Sequence, residues 1–250
     1  MTDFERFEAL CKEEAQVAER GNGEAIGTYG EKRLHRVLKR FVCEKIDEHE
    51  VRVGKYVADV LSERGITEIQ TRSFRPLVPK IRYYLENTDY AITVLCPVIA
   101  EKTIFRMDRE SGEVLSIKRS PKHERVIDIL PELFWLGELM NNDRLTVEVA
   151  LIVAEEHRYS ERRYHNREGA YESEFYPRAL RDCVLLRTRE DFYAFLPEGV
   201  GSFTAAEYGV YSKLKQRKLY SALNFLCAIG VLEREREDRK YRYFIKEKSG

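Results

Sequence analysis

Asp59, Glu68 and Gln70 fall within one compact stretch, residues 50–72, and Glu31 lies upstream of them. Two carboxylates at this spacing suit a divalent cation. Mg²⁺ or Mn²⁺ takes hard oxygen ligands and keeps several waters, so two carboxylates and one backbone carbonyl are enough to hold it. Asp59 and Glu68 fit the ligand role, with the carbonyl of Ile69 as a third oxygen. The chemistry such a site supports is hydrolysis: the ion sharpens a bound water as a nucleophile and stabilises charge on a phosphate being cut. Glu31 is expected to orient a metal-bound water.

These side chains need elements that hold them. Phe4, Phe7, Leu10 and Cys11 predict a helix over 3–20, broken at Gly21 and Gly23. A second helix is expected from Glu31, with Leu34, Val37, Leu38 and Phe41 as its apolar stripe, and Glu31 falls on that stripe. Strands are expected at 49–54, 56–63 and 66–72, with Asp59 on the second and Glu68 and Gln70 on one face of the third. A helix over 80–87 follows, entered through Pro76 and Pro79. The run 91–100 is apolar enough to be a strand buried on both faces. A hairpin over 103–120 turning at Ser111-Gly112, an apolar helix over 126–140 kinked at Pro131, and a strand over 145–158 complete a mixed α/β unit.

In this order the residues resemble the PD-(D/E)xK nuclease superfamily, in a divergent bacterial form, over roughly residues 31–99. The resemblance implies a restriction-endonuclease-like mixed sheet flanked by helices, cutting DNA with Mg²⁺ or Mn²⁺. Asp59 stands as the motif aspartate, with Ala58 in place of the usual proline. Glu68 stands as the second acid and Glu31 as the helical acid. Gln70 occupies the lysine position, and a neutral amide cannot supply the lysine's charge. Lys80, on the next helix, resembles the migrated lysine of some members. Convergence of Lys80 on the acids favours catalysis; a solvent-facing Lys80 favours a DNA-binding regulator on an inactive nuclease fold.

From residue 177 the pattern changes. Short helices are expected first. Thr204 and Glu207 have the spacing of a capping box. A longer helix from Ser212, with Leu219, Ala222, Leu223, Leu226 and Cys227 inward, stops at Gly230, and a charged hairpin follows. This is the order of a winged helix-turn-helix, whose second helix enters the major groove of duplex DNA. The expected contacts are Lys213, Lys215, Gln216, Arg217 and Lys218, with Tyr220 nearby and Arg239 and Lys240 in the wing. The alternative is a protein–protein module with the lysine face buried against a partner. The expected division is an N-terminal helix and loop over 1–29, the nuclease-like domain over 30–157, a linker or functional loop over 158–176, and the winged helix over 177–250. The loop carries Arg162, Arg163 and Arg167 with Tyr159, Tyr164 and Tyr171, types that grip backbone and bases.

Composition narrows the class. Apolar residues are 43% and charged residues 34% of 250, with formal net charge +0. A core exists, and any attraction for nucleic acid must come from local patches. The 5 cysteines are scattered with no C-x-x-C pair, as in a reduced cytoplasmic protein. No run reaches the ~20 apolar residues of a membrane span. The histidines make no metal-binding pair, and no Walker A, G-x-S-x-G or G-x-G-x-x-G sequence occurs. A homodimer is compatible with all of this.

Overall fold

The computed structural model describes residues 1–20, 29–71, 73–160, 172–238 and 240–247, with the side chains of 17–20, 29–32, 160 and 172 outside that description. Among the described residues, a seven-stranded mixed sheet runs β1-β2-β3-β4-β6-β7, with β5 also paired to β4. β1 (His49–Val53), β2 (Tyr56–Ser62) and β3 (Gly65–Ile69) form an antiparallel meander. β3 then lies parallel to β4 (Ile92–Asp108), and β4 lies parallel to β6 (Leu145–Ser160). β5 (Val114–Arg119) folds back on the outer half of β4, and β7 (Glu172–Leu186) pairs antiparallel with β6. Parallel neighbours need a crossover. That crossover between β3 and β4 contains α3 (Val78–Asn87), so the segment after Glu68 is drawn back over the sheet.

The sheet lies between two helical layers, each built on an apolar stripe. α1 (Asp3–Arg20) and α2 (Tyr29–Val42) cover one face, where Leu34, Val37 and Leu38 pack with Ile69, Leu95, Ala150 and Ile152. On the other face Ile81 and Tyr84 of α3 and Leu130 and Leu133 of the short α4 (Leu130–Leu133) meet Val94, Val147 and Val149. Val94 and Leu95 serve opposite cores because successive strand residues point to opposite faces. Gly65 fixes where β3 begins. It sits at φ +99, and a Cβ there would lie 2.2 Å from the Ala91 carbonyl oxygen. Only glycine lets β3 come this close to the start of β4.

The C-terminal elements are β8 (Ser202–Thr204), α5 (Ala205–Ser212), α6 (Gln216–Ala228), β9 (Leu232–Glu237) and β10 (Lys240–Ile245), with a three-stranded sheet in the order β8-β10-β9. The capping box is present: the Glu207 N–H donates to Thr204 Oγ1 at 3.3 Å, and the Thr204 N–H donates to Glu207 Oε2 at 2.7 Å. Leu219, Ala222, Leu223 and Leu226 are buried in the same apolar core as α3 and α4. No described helix is long and apolar enough to cross a membrane.

Three expectations are corrected. Residues 177–186 are not helical but lie on β7, and its register shifts twice against β6, which spoils the alternation that marks a strand. The expected boundary at 177 therefore falls inside the main sheet. β6 runs to Ser160 and β7 begins at Glu172, and Arg162, Arg163, Tyr164, Arg167 and Tyr171 of the expected loop lie outside the described residues. The apolar run 126–140 is not one kinked helix. It is a 3-10 turn over Val126–Ile129, then α4, then a second 3-10 turn over Gly137–Asn141. Pro131 lacks an N–H and begins a new turn instead of continuing an old one. Finally, Ser212 ends α5 and does not cap α6. Its Oγ donates to the Tyr208 carbonyl at 2.7 Å, and Lys213 at φ +59 closes that helix.

Arg144, just before β6, ties the crossover down by donating to the carbonyls of Leu85, Thr88 and Tyr90 at the end of α3. A cation there complements the helix dipole and satisfies orphan carbonyls. Arg144→Met is expected to lower unfolding free energy by roughly 2 kcal/mol, the scale of charge-assisted hydrogen bonds. Urea denaturation measures it; a midpoint unchanged from the wild type contradicts the assignment.

Candidate active site

The β2–β3 pairing brings the two acids together. Leu61 stands opposite Ile66 and Val60 opposite Thr67, and the pairing ends there, one residue short of Asp59 on β2 and of Glu68 on β3. There the ladder gives way to a side chain: the Ile69 N–H donates to Asp59 Oδ2 at 2.8 Å. The Ile66 N–H donates to the Ala91 carbonyl just before β4, and the Gln70 N–H, just past β3, donates to the Leu95 carbonyl on β4, which leaves that of Ile69 directed toward β2. The Ile69 backbone, expected as a metal ligand through its carbonyl, thus orients Asp59 through its N–H.

Each carboxylate also has a helical partner. From α2, His35 Nε2 lies 3.4 Å from Asp59 Oδ2, and Lys39 Nζ lies 3.9 Å from Asp59 Oδ1 and 2.7 Å from Glu50. From α3, Lys80 Nζ lies 2.5 Å from Glu68 Oε2, and the Tyr84 hydroxyl donates to Glu68 Oε1 at 3.2 Å. Lys80 and Tyr84 are four residues apart and so project from one face of α3.

The two acids are held in different states. Glu68 is 2% exposed. Burial pushes its pKa up to about 7, with the nearby Asp59 charge adding to the rise, against the downward pull of Lys80 and Tyr84. Burial also acts to raise Asp59, but the hydrogen bonds from His35 and the Ile69 N–H and the charges of His35 and Lys80 outweigh it, so Asp59 stays below the usual aspartate range. Tyr84, buried against Glu68, is pushed up and remains a neutral donor. One ionised carboxylate beside one poised near neutrality is an arrangement that supports acid–base and metal chemistry alike.

The expected residues divide as follows. Asp59, Glu68 and Lys80 come together. Gln70 lies just past the end of β3, and its side-chain amide donates to the Ser73 carbonyl at 2.6 Å, which commits it to the following turn. The side chain of Glu31 and all of Arg239 lie outside the described residues. Among the described residues, no three His, Cys, Asp or Glu side chains are grouped closely enough to hold a metal. Lys213, Lys215 and Lys218 are exposed on the rim of a cavity of about 550 Å³. Thr71 and Ser73, just beyond the acids, line it too, as do Glu124, Asp128 and Glu132. Gln216 and Arg217 are exposed, and Lys240 stands opposite Glu237 in the hairpin. His35, Lys39 and Tyr84 were not anticipated. Helical spacing carried the signal: positions 31, 35 and 39 repeat every four residues on α2, as do 80 and 84 on α3.

Residues 32–186, more than half of the chain, match a family described as a domain of unknown function (DUF8091). The chain belongs to the DUF8091 family. No curated protein and no solved structure matches it. The DUF8091 match ends at Leu186, the last residue of β7, so it takes in nearly all of α2, the whole mixed sheet and both carboxylates, and it stops short of β8 to β10.

A carboxyl whose pKa is raised in the folded DUF8091 domain favours folding while it is protonated. That contribution is complete below the unfolded value near 4.5 and is lost as pH rises through about 7. Glu68→Gln removes the loss. In EDTA, wild type is expected to lose on the order of 3 kcal/mol between those limits relative to Glu68→Gln. Parallel stability–pH curves for the two proteins would refute the raised pKa.

Proposed function

We propose that the chain is a metal-dependent phosphodiesterase acting on DNA, built on a PD-(D/E)xK-like core with a winged-helix unit behind it. The observation that carries this reading is the meeting of Lys80 with Glu68 beside Asp59. The order α2, β1, β2, β3, α3, β4 supports the core assignment, and the α5–α6 pair with its β9–β10 hairpin supports the winged helix.

The donor set fits a hard cation. Asp59 is held ionised and aimed by the Ile69 N–H, and Glu68 is a buried acid whose ionised form gains most from nearby positive charge. Asp59 and Glu68 would hold Mg²⁺ or Mn²⁺, which supplies an activated water and charge neutralisation at the phosphate. Lys80, released from Glu68, would neutralise the non-bridging phosphate oxygens in place of the missing lysine at Gln70. Tyr84 keeps Glu68 oriented through its hydroxyl. His35 holds Asp59 from the α2 side, and Glu31 keeps its expected role in orienting water. A second reading is a DNA-binding regulator that no longer cuts; the Gln70 amide, committed to the Ser73 carbonyl at the position where the motif has a lysine, favours it.

Nicking of supercoiled plasmid with Mg²⁺ or Mn²⁺ decides between the two. The nuclease reading expects nicking that falls by roughly a hundredfold or more in Asp59→Asn, Glu68→Gln and Lys80→Met, the scale on which losing one charge-stabilising group slows catalysis. Salt-sensitive DNA binding without nicking under either metal would leave the regulator.

A further inference from the structure

The β9–β10 hairpin reads as mixed charge, with Glu233, Arg234, Glu235, Arg236 and Glu237 in strict alternation. Alternation along a strand is also alternation between its faces. The hairpin therefore sorts its charges. On the glutamate face, Arg242 pairs with Glu237 at 2.9 Å, Lys246 with Glu233 at 3.4 Å, and Lys240 stands opposite Glu237. That face is neutralised from within.

On the arginine face, Arg236 stands opposite Tyr241 and Arg234 opposite Tyr243. The Arg234 guanidinium lies 5.2 Å from the Tyr241 ring centroid and donates to Asn224 Oδ1 on α6 at 2.8 Å. The inner end of this face, Leu232 and Tyr243, is buried in the core. Arg234 joins this face to α6, where Arg217, Tyr220 and Asn224 share one helix face by their spacing. Tyr220 is 55% exposed and Tyr241 46% exposed. None of these positions on β9, β10 or α6 is acidic.

We propose that this face binds single-stranded nucleic acid, with Tyr220 and Tyr241 stacking on unpaired bases and Arg217, Arg234 and Arg236 on the phosphates. The polyanion answers an acid-free cationic face in a chain of zero formal charge. Solvent-facing tyrosine rings beside arginines offer a platform to bases that a duplex keeps stacked inside. The inference deepens the reading of the C-terminal unit as the nucleic-acid-binding part, and it stands whether or not Asp59 and Glu68 cut.

The test is fluorescence anisotropy of the full chain in EDTA, with labelled oligothymidylate and a blunt duplex of equal length. The oligothymidylate is expected to bind roughly tenfold more tightly than the duplex. The pair Tyr220→Ala and Tyr241→Ala should weaken it about tenfold or more, while Tyr220→Phe and Tyr241→Phe retain it. Arg234→Gln with Arg236→Gln, on exposed side chains, should lower affinity and flatten its salt dependence. Duplex bound as tightly as single strand, no binding to either, or an arginine pair that binds like wild type overturns the proposal. If the alanine pair melts out, the arginine pair still decides it. With the metal chelated, failure to cut DNA cannot alter these curves.

Discussion

The burial of one carboxyl group organises the site. β3 is buried along its whole length, between β2 on one side and β4 on the other, and Glu68 lies within it. A carboxylate taken out of water is costly unless charge and hydrogen bonds replace the lost hydration. Lys80 and Tyr84 supply both from the crossover helix, so where α3 begins and how it lies on the sheet are tied to Glu68. Gly65 sets the register of β3, and Arg144 fixes the far end of α3. An apolar residue in place of Glu68 would be easier to bury. That cost is the physical reason to assign the pair a task beyond stability.

The same contrast between local and global charge runs through the C-terminal unit. Zero formal charge hides an uneven distribution, because strand alternation turns a mixed run of residues into one neutral face and one cationic face. Lys213 and Lys215 between α5 and α6, and Lys218 on α6, look elsewhere, into the cavity that begins at Thr71 and Ser73, just past the acids. α6 thus presents one polar surface toward the sheet and another toward the hairpin. Its buried side, Leu219, Leu223 and Leu226, joins the core of the main sheet.

Much of the fold was legible because its signals are local. Apolar spacing at 34, 37 and 38, the capping box at Thr204 and the apolar run before Pro97 each decide their element within a few residues. β7 was missed because its identity comes from pairing with β6, and bulges erased its period. The broken run 126–140 was missed because one proline can kink a helix or start one, and tertiary packing chooses. At the site, Asp59, Glu68 and Lys80 were readable from residue type and order. His35 and Lys39 share the helix face of Glu31 by their spacing, but that this face meets Asp59 depends on how α2 crosses β2, which is a tertiary matter.

The proposed function requires Asp59 and Glu68 to act as one cation site. Titration of the metal-free chain with Mn²⁺, followed by electron paramagnetic resonance of the free ion, tests this without reference to any substrate. A single saturable site in the wild type, lost in both Asp59→Asn and Glu68→Gln, is the predicted result. Absence of saturable binding, or binding that survives both substitutions, would contradict it and leave the buried pair as part of the scaffold.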